Sequence, residues 1–246
     1  FFYAVAQRVG IDRISEMGHK LGLGIRHDLP LSAVADGLMP TQAWKKERRG
    51  QSWVIGDTIN ASIGQGFVLT SPLQLCLMTA RIATGKAIMP RIVKSVDGVE
   101  QPVSGADEAM AIAPGHLALV RRGMDAVMNG RTGTARGSRI ADEAMQMAGK
   151  TGTSQVRNIS AAERASGVIN NNDLPWDRRD HALFVSYAPV QAPRIAVSVV
   201  VEHGGGGGSV AAPVARDIIK FALGGGLTPA PAAPDSQRSG PGGPGR

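Results

Sequence analysis

HALFVSYAPVQAPRIAVSVVVEH, residues 181–203, is the stretch that decides the fold. Its two runs, 181–188 and 194–203, are rich in valine and other strand-forming residues, and a turn containing proline separates them. Such runs predict β-strands. Because the connection is too short for a crossover, the two strands are expected to pair antiparallel. A third strand is predicted over residues 145–156, joined to this hairpin by a polar loop, 157–180, and residues 90–97 suggest a further short strand.

Helices are predicted on both sides of these strands from capping residues, helical apolar spacing, and glycine or proline at the ends. They cover residues 1–9, Asp12 to Gly22, Thr41 to Arg49, Thr70 to Gly85, Pro114 to Gly130, and Val210 to Leu223. Helices, then three strands, then a final helix predict an α+β fold in which an antiparallel sheet packs against helices.

Composition divides the chain into two segments. Residues 1–223 carry the periodic pattern of a folded domain, whereas residues 224–246 are rich in Gly, Pro and Ala and are expected to form a disordered tail. Phe1 and the residues after it read as the interior of a helix with no start signal. We therefore expect the sequence to begin inside a domain whose N-terminal half precedes it.

The net charge of +7 suggests an anionic partner. Nucleic acid is disfavoured, because the densest basic cluster reads as one solvated helix face and the three tryptophans are too dispersed to stack bases. That cluster is Lys45, Lys46, Arg48 and Arg49. A single cysteine excludes an internal disulfide, and no ligand spacing predicts a metal or another cofactor.

The tetrapeptide Lys150-Thr151-Gly152-Thr153 carries the chemistry of the predicted strand 145–156. Alternation turns the two threonines to one face, where their hydroxyls can bind a carboxylate. Lys150 adds a positive field, and Gly152 lets another backbone approach closely. An extended peptide can lie along such an edge as an added strand, with the Thr153 N–H aimed at a developing oxyanion.

A lysine-threonine-glycine strand is also one signature of the penicillin-binding proteins and class A β-lactamases. Other short motifs extend the match over residues 1 to about 223, in an order that resembles the elongation-specific group of class B penicillin-binding proteins. They are Met39-Pro40-Thr41, Trp44-Lys45, Gly56-Asp57-Thr58-Ile59, Gly64-Gln65-Gly66, Pro72-Leu73-Gln74, Gly133-Thr134-Ala135 and Tyr187-Ala188-Pro189.

The resemblance implies a serine acyltransferase that cross-links peptidoglycan stem peptides and is trapped by β-lactams. It implies that Lys150 belongs to the catalytic polar network and that Thr151, Gly152 and Thr153 bind substrate, with the Thr153 amide as half of the oxyanion hole. It further implies an inner-membrane enzyme with a periplasmic catalytic domain, anchored through a preceding N-terminus. Its partners would be a glycosyltransferase of the elongation system and scaffold proteins.

The nucleophile of that family is missing from this sequence. No serine is followed by a lysine three residues later, and no Ser-x-N motif occurs. Three alternatives stay open for the parent protein or the chain itself: a D,D-carboxypeptidase, a β-lactamase, and a non-catalytic module that binds cell-wall peptides.

A phosphate-binding loop is a fourth alternative, because AMQMAGKT, residues 144–151, matches a relaxed form of that motif. Its bulky Met-Gln-Met centre disfavours a phosphate cradle. The motif also requires a helix to begin at the lysine, whereas Gly152 and Thr153 are poor helix formers.

The missing nucleophile gives a direct prediction. The 246-residue chain alone is expected to form no stable penicilloyl adduct, because it has no serine activated by a partner lysine. Incubation with a fluorescent penicillin, followed by denaturing electrophoresis, measures this. Stoichiometric covalent labelling would contradict it.

Overall fold

The computed structural model describes residues 1–101, 108–157 and 159–226. Most of the predicted tail, residues 227–246, therefore lies outside the described residues, and 222–226 follow the last helix as a wider turn that Gly225, with a φ of 100°, interrupts. The described helices are α1 Phe2–Val9, α2 Ile11–Lys20, α3 Gln42–Arg49, α4 Ile55–Ala61, α5 Pro72–Thr84, α6 Pro114–Asn129, α7 Ala161–Ser166 and α8 Ala212–Phe221. None of the helices in these ranges combines the length and apolarity that crossing a bilayer requires.

The strands form two antiparallel units. A small ribbon pairs β1, Ser95–Val96, with β2, Val99–Glu100. The main sheet has the order β3-β4-β5, from Ala148–Ser154, His181–Ala188 and Ile195–Val201. The predicted hairpin is thus confirmed, with its second strand shorter than expected, and only the end of the predicted strand 90–97 is extended.

Local capping explains where several helices begin and end. The Thr41 hydroxyl accepts the Trp44 N–H at 3.0 Å, and Ser71 caps α5 in the same way. Asp12, predicted to be a cap, lies inside the first turn of α2 instead. Its two carboxylate oxygens accept the backbone N–H and side-chain amide of Gln42, each at 3.0 Å, and so connect α2 to α3.

The main sheet has a helix layer on each face. Ala182, Phe184 and Ala188 of β4 are fully buried against a cluster that includes Ala215 and Ile219 of α8. The opposite face carries Tyr187, which packs on α5 and α6 through the buried residues Ile82, Ala83 and Met124. This α+β arrangement confirms the predicted fold class.

Two apolar residues at helical spacing do not face inward. Ile218 in α8 is 43% exposed and Val120 in α6 is 46% exposed, whereas their neighbours Ile219 and Met124 are buried. The apolar stripe of each helix is narrower than the hydrophobic pattern suggested, because the sheet covers only one side of the helix.

Lys45 corrects the interpretation of the basic cluster as a solvated face. Its side chain is 7% exposed and its ammonium lies 2.6 Å from the Asp57 carboxylate, which is itself 15% exposed. The ammonium also lies 5.9 Å from the Trp53 ring centre and 5.6 Å from that of Phe67. Asp57 accepts the Val54 N–H at 2.9 Å as well, so one carboxylate caps α4 and holds α3 against it.

Burial alone would raise the pKa of Asp57, but the hydrogen bonds from Lys45 and Val54, together with the charge of Lys45, outweigh it and lower that pKa. A lowered pKa means that the carboxylate stabilises the fold above the pKa of an unfolded aspartate, about 4. This stabilisation is lost as the pH falls further.

Asp57→Ala is expected to destabilise the fold by about 3–5 kcal/mol at pH 7, because it leaves the buried Lys45 ammonium uncompensated. Urea unfolding followed by tryptophan fluorescence measures this change. The double variant Lys45→Met/Asp57→Ala should recover much of the loss, since methionine suits the aromatic surroundings. Equal losses in the single and double variants would show that the ion pair is not the cause.

Candidate active site

β3 lies at the edge of the main sheet as the described residues form it, and it carries the whole Lys150–Thr153 motif. Its register sets Thr151 opposite Phe184 and Thr153 opposite Ala182. Residues paired across antiparallel strands share a face, so both threonines are on one face and Lys150 is on the other. The four residues predicted to form the site are therefore together on one extended segment.

The strand geometry removes the phosphate-loop alternative. Residues 148–154 are extended, and no helix begins at Lys150. The exposed Lys150 ammonium instead donates to the Thr151 carbonyl oxygen at 2.6 Å and lies 3.5 Å from the Thr151 hydroxyl. In the described ranges it meets no carboxylate, so its positive charge is available to an anionic ligand.

Contacts behind β3 fix its position. The Asn129 side chain, at the end of α6, donates to the Met147 carbonyl oxygen at 3.1 Å, just before the strand. The Thr134 and Thr151 hydroxyls lie 3.3 Å apart, and one of them donates a hydrogen bond to the other. Gly149 has room only for a hydrogen, since a Cβ there would lie 2.5 Å from the Phe184 ring. The strand is therefore held against β4 and α6.

The glycine run, Gly204 to Gly208, packs closely against β3, although its sequence predicts a flexible loop. A Cβ on Gly207 would collide with the Leu183 carbonyl oxygen and lie 2.5 Å from that of Gly152. A Cβ on Gly208 would be 3.4 Å from the Thr151 methyl group. The run comes directly after β5 in the sequence. This position is the signal from which its return to β3 could have been predicted.

A cavity of about 370 Å³ opens beside Thr153. Its wall comes from the glycine run and from the loop before β4, through Asn170, Asn171, Asn172 and Asp180. Thr153 is exposed, and its hydroxyl has no hydrogen-bond partner among the described residues. The loop 157–180, read from sequence as a polar connection, therefore helps to build the site.

An ion pair within this loop fixes its first residues, just after β3. The Arg157 guanidinium, three residues after β3, donates both of its terminal N–H groups to the Glu163 carboxylate in α7, each at 2.6 Å. The hydrogen bonds from Arg157 lower the pKa of Glu163 to about 2. The pair consequently stays charged throughout the pH range in which proteins normally work.

The arrangement suits a ligand that has an extended backbone and a carboxylate. An edge strand offers main-chain hydrogen bonds, the threonine hydroxyls and Lys150 offer donors to an anion, and the cavity offers space beside Thr153. An edge strand with Lys-Thr-Gly, on a sheet flanked by helices, is the arrangement expected of penicillin-binding proteins and class A β-lactamases.

Comparison with known proteins agrees with this class. Residues 1–220 match the family described as penicillin binding protein transpeptidase domain, and the chain belongs to that family. It is 35% identical over 230 residues to the peptidoglycan D,D-transpeptidase MrdA of Haemophilus influenzae, covering 91% of this chain and 34% of the relative. The chain thus spans about a third of the length of that relative.

Solved structures agree as well. The fold is similar to penicillin-binding protein 2 of Pseudomonas aeruginosa in complex with WCK 5153, with a TM-score of 0.75 and 36% identity, over 89% of this chain and 45% of that one. It is also similar to penicillin-binding protein 2 of Helicobacter pylori in complex with MreC, with a TM-score of 0.75 and 30% identity, over 92% and 38% of the two chains.

Gly207→Ala is expected to loosen the wall beside β3, because the new methyl group meets backbone atoms that cannot rotate away. We expect faster amide hydrogen exchange at Lys150 and Gly152, whose N–H groups face β4 when that of Thr153 faces the ligand, by about tenfold, together with a lower melting temperature. The matched control is Gly123→Ala on α6, where a Cβ has nothing within 4 Å. Unchanged exchange in Gly207→Ala would contradict the close packing described here.

Proposed function

We propose that the full-length protein containing this chain is a serine-type peptidoglycan D,D-transpeptidase that acts in cell elongation and is a target of β-lactams. The observation that carries the proposal is the Lys150–Thr153 motif on an accessible edge strand. Membership of the transpeptidase-domain family and the likeness to MrdA support it.

In the proposed reaction, a serine outside this chain attacks the carbonyl carbon of the penultimate D-alanine of a stem peptide. The terminal D-alanine leaves as a free amino acid, and the stem remains as an ester on the serine. An amine of a neighbouring stem then attacks the ester, forms the cross-linking amide and returns the hydroxyl to the serine. A β-lactam acylates the same serine as its ring opens, and the reaction stops at that ester.

The residues of this chain act in substrate binding and charge stabilisation. The hydroxyls of Thr151 and Thr153 hold the terminal carboxylate, and the Lys150 ammonium supplies positive field at the same place. The Thr153 N–H contributes to the oxyanion hole, where a single donor is worth roughly 3 kcal/mol of barrier. Gly152 lets the substrate backbone lie close to β3.

We place the full-length protein in the inner membrane of a Gram-negative bacterium, with the catalytic domain in the periplasm. Its partners would be a glycosyltransferase of the elongation system and scaffold proteins. The complex of the Helicobacter pylori relative with MreC supports the second kind of partner. Co-purification of the membrane-solubilised full-length protein with these components tests this assignment.

Lys150→Ala in the full-length protein is expected to slow acylation by a fluorescent penicillin about a hundredfold, because it removes the cation beside the carboxylate subsite. Stopped-flow measurement of the second-order rate constant gives the value. Lys46→Ala is the matched control, since Lys46 is an exposed lysine on α3, and its rate should stay unchanged.

Product analysis with stem peptides separates the alternatives. Cross-linked dimers are expected for a transpeptidase. Release of D-alanine without dimers would identify a carboxypeptidase, and rapid turnover of the penicilloyl adduct a β-lactamase. Failure of the full-length protein to form any adduct would leave a peptide-binding module and overturn the proposal.

A further inference from the structure

Three aromatic rings meet at the end of the main sheet, beside the cavity at Thr153. The His203 ring centre lies 4.4 Å from that of Trp176 and 4.7 Å from that of His181. His181 begins β4 opposite Ser154, the residue after Thr153, and His203 follows β5. The sequence offered no ligand spacing for these histidines, and only the sheet register brings them together.

The hydrogen bonds of the two imidazoles assign their protons. The backbone N–H of His203 donates to Nδ1 of His181 at 2.9 Å, so this Nδ1 is unprotonated and the ring carries its proton on Nε2. Nδ1 of His203 lies 2.9 Å from the Arg179 carbonyl oxygen, which only accepts, so this Nδ1 carries a proton. A second proton on the His203 ring leaves its bond to the Arg179 carbonyl oxygen intact. A second proton on the His181 ring removes the acceptor at Nδ1.

The His181 acceptor holds the residue from which the glycine run departs. His203 has a φ of 56°, a left-handed conformation that a non-glycine residue adopts at a cost in free energy. The bond to His181 satisfies its N–H in that conformation. Two residues later, the Gly205 N–H donates to the Asp180 carbonyl oxygen at 2.8 Å, and Gly207 then packs on Gly152.

Charged residues of both signs adjoin the pair in sequence. Asp177, Arg178, Arg179 and Asp180 lie on the approach to β4, Glu202 precedes His203, and Arg157 follows β3. The acceptor bond from the His203 N–H exists only while Nδ1 of His181 is unprotonated, and it therefore distinguishes the two protonation states.

We propose that His181 is a positioning residue for the transpeptidase site: its neutral ring fixes His203, and through the glycine run sets the wall beside Thr151 and Thr153. The inference rests on the proposed function. Protonation of His181 at Nδ1 places two donors face to face, releases the start of the run and slows acylation. The rate therefore gains an acid limb, because acid removes this acceptor.

The test compares acylation rates of the full-length protein and two variants as a function of pH. His181→Phe keeps a ring beside His203 but has no acceptor, and we expect a rate about tenfold lower at pH 7.5. His181→Asn offers an amide oxygen near the position of Nδ1 that does not titrate. It should restore most of the rate and lack the part of the acid limb that His181 causes.

Outcomes separate this inference from the function on which it rests. Normal acylation by His181→Phe, or an acid limb in His181→Asn identical to that of the wild type, overturns the inference alone. Absence of any adduct in the wild type overturns the proposed function and this inference together.

A second readout does not depend on the variants folding. Ring nitrogen NMR of the wild-type protein at pH 8 should show the Nε2–H tautomer for His181 and Nδ1–H for His203. As the pH falls, the protection factors of the His203 and Gly205 amides, which are corrected for the intrinsic exchange rate, should decrease together with protonation of His181. An Nδ1–H tautomer at His181 overturns the inference.

Discussion

The antiparallel pairing of β3 with β4 is the interaction on which the site depends. It runs without interruption from Ala148–Tyr187 to Ser154–His181, and it fixes which side chains of β3 share a face. The buried residues of β4 anchor that strand between two helix layers, so β3 inherits a rigid support. The cost is a glycine at 149, where Phe184 leaves no room for a side chain.

Much of this fold follows from local sequence rules. The hairpin was predictable from its β-branched residues, and α3 and α5 from their Thr41 and Ser71 caps, because these signals act within a few residues. Ile218 shows where such rules end. Its apolar side chain and helical spacing predict that it is buried. Only the placement of the sheet decides that Ile219 is buried and Ile218 is exposed.

The site likewise has a part that local sequence predicts and a part that it does not. Lys150 to Thr153 were recognisable as a contiguous motif whose chemistry depends on strand alternation alone. The rest of the site is assembled by contacts distant in sequence: the glycine run against Gly152, the asparagines before β4, and the pairing of His181 with His203. Lys45 and Asp57 are a further example of a contact that local sequence does not reveal. The basic composition of α3 predicts a solvated Lys45, but the packing of α3 on α4 buries it.

The glycine run also affects how easily substitutions could weaken the binding of an inhibitor to such a site. Gly204, Gly205 and Gly206 offer only main-chain atoms to the cavity beside Thr153, and Gly205 has a φ of 80°, a conformation in which a side chain is strained. A compound that contacts this main chain leaves few tolerated exchanges by which resistance can arise. Groups directed at Asn170 or Asn172 would meet replaceable side chains and lose affinity after one substitution.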